Sequence, residues 1–232
     1  MMCIVSCDKK AKIGYYKSNL VKENIRDEGR NALDRCGTAW RLPEEWVMVK
    51  VMLQEERENK TMAENLIIYY SRKGENYWNG SVKNIEKGNT EIVAEFIQKA
   101  VGGDLFEVDT VKPYDADYYT CIEEAKQELH AQARPELKQY IDSIDGYDNI
   151  FVCGPCWWGT YPMAVFTQLE KLNFVGKKVM AVMTHEGSGL GNCERDLKKL
   201  CVGATFGKGL AVHGADASKS ESTVAAWAKK VI

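Results

Sequence analysis

The sequence lacks any apolar run near the roughly 20 residues that a membrane-spanning helix needs, and its N-terminus lacks the basic-then-apolar pattern of a secretory signal. It also lacks an excess of one charge, since 31 basic side chains stand against 33 acidic ones. Its eight cysteines lack the dense spacing of a secreted disulfide scaffold. These absences predict a cytoplasmic protein with mostly reduced cysteines and with neither nucleic acid nor a membrane as partner.

Histidine, a common metal ligand, is scarce, and a common nicotinamide-binding motif is absent. The three histidines, His130, His185 and His213, are widely spaced in sequence and predict no metal site. No G-x-G-x-x-G sequence follows a predicted strand. This second absence weighs little, because enzymes can bind nicotinamide over a flavin without that sequence.

From Asn65 onward, short apolar runs alternate with helix-like segments, a pattern typical of a parallel sheet with helices on both faces. Predicted strands are 66–70, 105–108, 150–153, 179–183 and 210–212. About five helices fit between and after them, and the clearest places Val93, Ile97 and Val101 on one face. A longer helical crossover is predicted over 114–140, with an interruption near Pro135.

Residues 1–61 do not share this rhythm. They carry 12 basic and 10 acidic side chains, whereas residues 62–232 carry 19 and 23. The run 55–60 can be encoded almost entirely by purines, like a translated ribosome-binding site, so one hypothesis makes Met62 the native start and 1–61 an upstream read-through. The alternative is an ordinary extension that packs a helix beginning at Pro43 on a domain formed by 62–232.

Three loops of unusual composition follow the first, third and fourth predicted strands, where ligands bind in open parallel sheets. The first loop runs from Ser71 to Thr90, and its end at Gly88-Asn89-Thr90 opens a helix whose free amides suit a phosphate, although Asn89 could equally be a simple N-cap. The third loop begins Thr184-His185-Glu186-Gly187-Ser188-Gly189. Its glycines permit close approach to a polar ring edge.

The second loop follows Cys153-Gly154-Pro155-Cys156, which is also the thioredoxin dithiol sequence. A catalytic dithiol needs an exposed first cysteine at a helix N-terminus, whereas Cys153 ends an apolar run and the next helix is predicted only near Pro162. Two tryptophans, Trp157 and Trp158, then precede Gly159. They favour a flat aromatic ligand, although either could instead face the core.

Together the three loops resemble those of the flavodoxin family, and the resemblance extends from Asn65 to the C-terminus. It implies a flavodoxin-like three-layer α/β sandwich, a five-stranded parallel sheet of order 2-1-3-4-5, and one noncovalent FMN. It also implies the binding residues: Ser71, Arg72, Lys73, Asn89 and Thr90 for the phosphate; Pro155, Cys156, Trp157, Trp158, Gly159 and Thr160 around the isoalloxazine; and Thr184, Glu186, Gly187, Ser188 and Gly189 at the pyrimidine edge.

An insertion, 75–87, separates the two halves of the first loop, and we expect it to form an excursion with its own packed aromatics, Tyr77 and Trp78. Because Gly159 lacks a Cβ, we expect the adjacent peptide to reorient toward flavin N5. The predicted function is low-potential electron transfer by a monomer or weak homodimer between unidentified redox partner proteins. An FMN-dependent NAD(P)H oxidoreductase is the alternative, and dithiol chemistry at Cys153 and Cys156 is a more remote one.

Overall fold

The computed structural model describes residues 64–232, so the predicted N-terminal extension and Met62 lie outside the described residues. In chain order the strands are β1 (Asn65–Tyr69), β2 (Gly74–Trp78), β3 (Ser81–Ile85), β4 (Asp104–Glu107), β5 (Asn149–Pro155), β6 (Lys178–His185), β7 (Thr205–Phe206) and β8 (Leu210–His213). The α-helices are α1 (Asn89–Val101), α2 (Tyr118–Ala131), α3 (Met163–Leu169), α4 (Cys193–Leu200) and α5 (Glu221–Val231), and a 3-10 helix, Gly214–Lys219, precedes α5.

The central sheet is parallel throughout and has the order β4-β1-β5-β6 followed by β7 and β8. This is the predicted 2-1-3-4-5 arrangement, with the fifth position divided between two short strands. β7 pairs with the start of β6 and β8 with its end. The sequence prediction missed β7, a two-residue strand too short to show a pattern.

Each central strand contributes side chains to two hydrophobic cores, one on each face of the sheet, because successive side chains point to opposite faces. In β1, Ile67 packs with α1 and α5 on one face, and Ile68 packs with α3 and α4 on the other. In β5, Phe151 and Val152 divide in the same way. Burial on both faces explains why these strands read as continuous apolar runs.

The crossover between β4 and β5 is helical only in its first half, so the prediction of a helix over 114–140 was too long. α2 begins where the Asp117 carboxylate accepts the Thr120 amide at 2.7 Å, and it ends at Gln132 in a left-handed conformation. Pro135 lacks the amide hydrogen that another turn would require. Across residues 64–232, no helix combines the length and the apolar character needed to cross a membrane.

Candidate functional site

The two halves of the first loop lie side by side although thirteen inserted residues separate them in sequence. The insertion forms an antiparallel hairpin of β2 and β3 closed at Asn79-Gly80. Gly88 then lies against Ser71 and Arg72 so closely that a Cβ on it would overlap the Ser71 hydroxyl and come within 2.7 Å of the Arg72 carbonyl oxygen. The excursion expected from the sequence is therefore a hairpin, and it leaves the loop continuous in space.

The N-terminus of α1 has no side chain at its cap position. The N-cap is Gly88 rather than Asn89, and the Ser71 hydroxyl accepts the amide of Glu91 at 3.0 Å. The amides of Asn89 and Thr90 have no acceptor among the described residues. Free amides at the positive end of a helix suit an anionic group such as a phosphate.

A buried hydroxyl pair joins the first loop to the third. Thr90 Oγ1 lies 2.7 Å from Thr184 Oγ1, and both side chains are almost inaccessible to solvent. The bond connects residues 94 positions apart in sequence. It fixes the start of α1 relative to the end of β6.

Replacing one member of this pair, in Thr90→Val or Thr184→Val, should lower the free energy of unfolding by about 1–3 kcal/mol, because the remaining buried hydroxyl loses its partner. The double variant should cost less than the two single costs added together, with a coupling of about 1 kcal/mol. Urea unfolding of the wild type, the two single variants and the double variant, without added ligand, measures the four free energies. Strictly additive losses would contradict the pairing.

The second loop contains a tight turn. Trp157 and Thr160 exchange backbone hydrogen bonds at 2.9 and 3.1 Å, and Trp158 and Gly159 between them have φ values of 52° and 87°. Positive φ at both central positions defines a type I′ turn. A left-handed tryptophan costs about 1–2 kcal/mol. Strain of this kind occurs at binding sites that the surrounding structure holds in place.

The carbonyl oxygen of Gly159 already has a hydrogen-bond donor. It accepts the Asn192 amide at 2.7 Å, and Gly191 lies so close that a Cβ there would be 2.5 Å from that oxygen. Thr160 Oγ1 also lies 2.7 Å from the Asp196 carboxylate. The peptide after Gly159 is therefore fixed by the third loop and α4, and the predicted reorientation is restricted to the peptide between Trp158 and Gly159.

The two tryptophans have different environments. Trp157 packs edge-on against Tyr70 and Tyr114, with ring centroids 5.3 and 5.0 Å away. Trp158 is 47% exposed, its Nε1 donates to the Ile122 carbonyl oxygen at 2.8 Å, and the Lys126 ammonium lies 4.9 Å from its ring. Trp158 is therefore the more exposed of the two tryptophans and the better candidate to contact a flat ligand.

A cavity of about 350 Å³ lies away from the three loops, beside α2. Tyr114 and Glu128 line it, and the tyrosine hydroxyl lies 2.6 Å from the carboxylate. Burial and this hydrogen bond raise the Tyr114 pKa well above its usual value. None of the predicted binding residues lines the cavity, so its size does not mark the site.

The Cys153-Gly154-Pro155-Cys156 segment lacks the geometry of a catalytic dithiol. Cys153 lies inside β5 with no exposed surface, and burial raises its thiol pKa far above the usual range. The next helix begins only at Met163. Both features agree with the sequence argument against thioredoxin chemistry, because a reactive thiol needs exposure and a nearby helix N-terminus.

The third loop places Glu186 beneath the hairpin. Glu186 Oε2 accepts the Asn79 amide at 2.9 Å and lies 3.5 Å from His213 Nε2. Its other oxygen, Oε1, is buried, faces Gly214 and has no hydrogen-bond partner in the described part of the chain. The rings of His185 and His213 are only 5.8 Å apart despite their spacing in sequence, and burial, reinforced by His213, lowers the His185 pKa.

The hairpin, α2 and the last two loops form a closed ring of contacts, which we call the collar. Glu75 accepts the Tyr118 amide at 2.8 Å, and Tyr77 stacks on Tyr118 at 6.1 Å, so the hairpin holds the start of α2. Three more hydrogen bonds complete the ring: Trp158 bonds to α2, Gly159 to Asn192, and Glu186 to Asn79. Because every member follows the carboxyl end of β1, β4, β5 or β6, the collar lies at the sheet edge where ligands bind in this architecture.

Residues 83–231, well over half of the chain, match the family model described as Flavodoxin. The chain belongs to the flavodoxin family. No curated protein matches the sequence of this family member.

Several solved structures share the flavodoxin fold. A candidate flavoprotein from Bacteroides uniformis ATCC 8492 is 28% identical, with a TM-score of 0.58, and the match covers 72% of this chain and 98% of that one. One from Bacteroides eggerthii DSM 20697 is 26% identical, with a TM-score of 0.58 and coverage of 73% and 98%. A flavoprotein solved in complex with FMN from Lactobacillus acidophilus NCFM is 22% identical, with a TM-score of 0.50 and coverage of 71% and 98%, a likeness that extends to the fold alone.

The fold therefore brings the three predicted loops of this flavodoxin to one edge, but it uses some of their residues differently. Arg72 Nε donates to the Glu75 carbonyl oxygen at 2.9 Å, and Arg72 Nη2 donates to that of Ala116 at 2.8 Å, so this guanidinium braces the hairpin base. Lys73 is exposed. Sequence reasoning did not identify Tyr118 and Asn192 as structural partners, because Tyr118 lies inside the predicted 114–140 crossover and Asn192 simply follows the glycines of the third loop.

Proposed function

We propose that this flavodoxin-family protein binds one noncovalent FMN within the collar and transfers electrons between redox partner proteins. The observation that carries the proposal is the uncapped N-terminus of α1 beside Gly88, joined through Thr90 to the third loop. It combines an anion site with a ring of polar backbone groups at the sheet edge. When bound, FMN would supply the reversible electron acceptance that no side chain here provides.

The phosphate end is assigned to the first loop. The amides of Asn89 and Thr90 are free to donate, and the Ser71 hydroxyl lies beside them. Arg72 and Lys73 add positive charge near the helix N-terminus, where the helix dipole already favours an anion. The close approach of Gly88 to the Ser71-Arg72 backbone keeps these donors converged.

The ring end is assigned to the second and third loops. Trp158 is the proposed stacking residue because it is the more exposed tryptophan, with Pro155, Cys156, Trp157 and Thr160 supporting its turn. The segment from Thr184 to Gly189 borders the polar edge of the ring. The buried Glu186 Oε1, which has no hydrogen-bond partner among the described residues, supports this assignment because it is an acceptor that a ligand could use.

Purified protein is expected to be yellow, and the cofactor released by heat should be FMN rather than FAD. Flavin-free protein should quench FMN fluorescence on titration at one-to-one stoichiometry. Protein that neither carries nor rebinds FMN would overturn the proposal.

Addition of NADPH alone under anaerobic conditions distinguishes the carrier from the oxidoreductase alternative. A carrier should keep its oxidised spectrum until a flavodoxin reductase is added. Rapid bleaching by NADPH alone would instead show that the protein accepts hydride itself.

A further inference from the structure

We propose that the β2–β3 hairpin is the movable member of the collar and that Glu186 is the latch that holds it shut over the flavin. The inference rests on the proposed binding of FMN. It assigns to Glu186 a gating role beyond bordering the flavin ring. Glu75 and Tyr77 provide the second attachment of the same hairpin, to the start of α2.

The hairpin is the least anchored part of the collar. β2 and β3 pair only with each other, and none of their ten residues is fully buried. An isolated two-stranded hairpin is marginally stable in water. Its conformation therefore depends on the contacts that it makes with α2 and with the third loop.

The contact of the second loop with the third loop and α4, on the other side of the collar, is more extensive. Gly159 and Asn192 are joined by a backbone hydrogen bond, Gly191 packs directly on Gly159, and Thr160 bonds to Asp196. These contacts combine backbone bonding, close packing and a side-chain bond. If the collar opens, it opens at the hairpin.

The hairpin tip is attached to the third loop by one hydrogen bond, from the Asn79 amide to Glu186 Oε2. Asn79 and Gly80 both have positive φ, as expected at the tip of a tight β-hairpin. The Glu186 side chain is only 18% exposed. Because buried acceptors bind strongly to the donors available to them, this single contact is well suited to act as a latch.

A latch has a kinetic signature that a flavin contact lacks. If FMN enters and leaves only through the open collar, the open fraction limits both association and dissociation. Weakening the latch should then raise both rate constants and change the dissociation constant little. Loss of a direct contact with the flavin would raise the dissociation rate alone.

The test compares Glu186→Ala, Glu186→Gln and wild type by stopped-flow FMN binding and by hydrogen exchange of the Asn79 amide in the flavin-free protein. Glu186→Ala should speed FMN association, FMN dissociation and amide exchange each by about tenfold. Glu186→Gln keeps an acceptor oxygen, so it should remain within about threefold of wild type in all three. Glu86→Ala, at an exposed position just after β3, is the matched control and should leave the rates unchanged.

The outcomes separate the latch from the proposed function. Wild-type protein that fails to bind FMN overturns both. Normal FMN binding with unchanged rates in Glu186→Ala overturns the latch and leaves the function intact. An increase in dissociation alone also overturns it, because that result makes Glu186 a flavin contact. Equal effects of alanine and glutamine overturn it as well, because they would show that the acceptor oxygen kept in glutamine does not hold the Asn79 amide. Tyr77→Ala, which loosens the second attachment, should likewise raise both rate constants, and a change in only one would count against the moving hairpin.

Discussion

Gly88→Ala is expected to weaken FMN binding by roughly 5- to 150-fold, which corresponds to about 1–3 kcal/mol. Its φ of −69° suits alanine, so the backbone itself adds no strain. The new Cβ would instead overlap the Ser71 hydroxyl and come within 2.7 Å of the Arg72 carbonyl oxygen. Overpacking of this kind costs about 1–3 kcal/mol, and relief requires the two halves of the phosphate loop to separate. Fluorescence titration with FMN measures the loss.

Gly146→Ala is the matched control. Gly146 is exposed, and its added Cβ would meet only the Glu64 carboxylate, at 3.4 Å. Its FMN affinity and free energy of unfolding should stay close to wild type. Chemical unfolding of both variants separates a loss of fold from a loss of binding, and wild-type affinity in Gly88→Ala would show that the loop halves need not converge.

The central strands could be predicted from sequence because strands buried on both faces are continuous runs of apolar residues. The runs at 66–70 and 150–153 differ from β1 and β5 by only one or two residues at each end. β7 could not be recognised in this way because a strand of two residues is too short to form an apolar run or an alternating pattern. The crossover helix was predicted too long because apolar spacing continues past Ala131, where the chain turns away before Pro135.

The loops could be located from their composition, but their mutual contacts could not. Asn79-Gly80 is a strong hairpin signal between two short strands, and the turn alone could have predicted β2 and β3. The bond from Asn79 to Glu186 spans 107 positions, and no local pattern specifies it. Likewise, the bond from Asn192 to Gly159 depends on how loops from two strands meet, which the sequence of neither loop specifies.

Gly191→Ala is expected to weaken FMN binding by about tenfold relative to a control outside the collar. Its φ of 52° disfavours alanine, and the new Cβ would come within 2.5 Å of the Gly159 carbonyl oxygen. To relieve that contact the second loop must move away from the third. The Asn192–Gly159 hydrogen bond then breaks, and the strained Trp158 turn loses the partner that holds it.

Gly176→Ala supplies that control, because the exposed Gly176 lies outside the three loops and also has a positive φ, 77°, but its added Cβ would have no atom within 4 Å. Both variants carry a left-handed alanine, at about 1 kcal/mol, so their free energies of unfolding should fall by similar amounts from that cause. Only Gly191→Ala disturbs Gly159, and amide exchange at Asn192 should report the lost bond. Equal FMN affinity in the two variants would mean that the second loop holds its turn without the third, which would leave the collar closed by its hairpin alone.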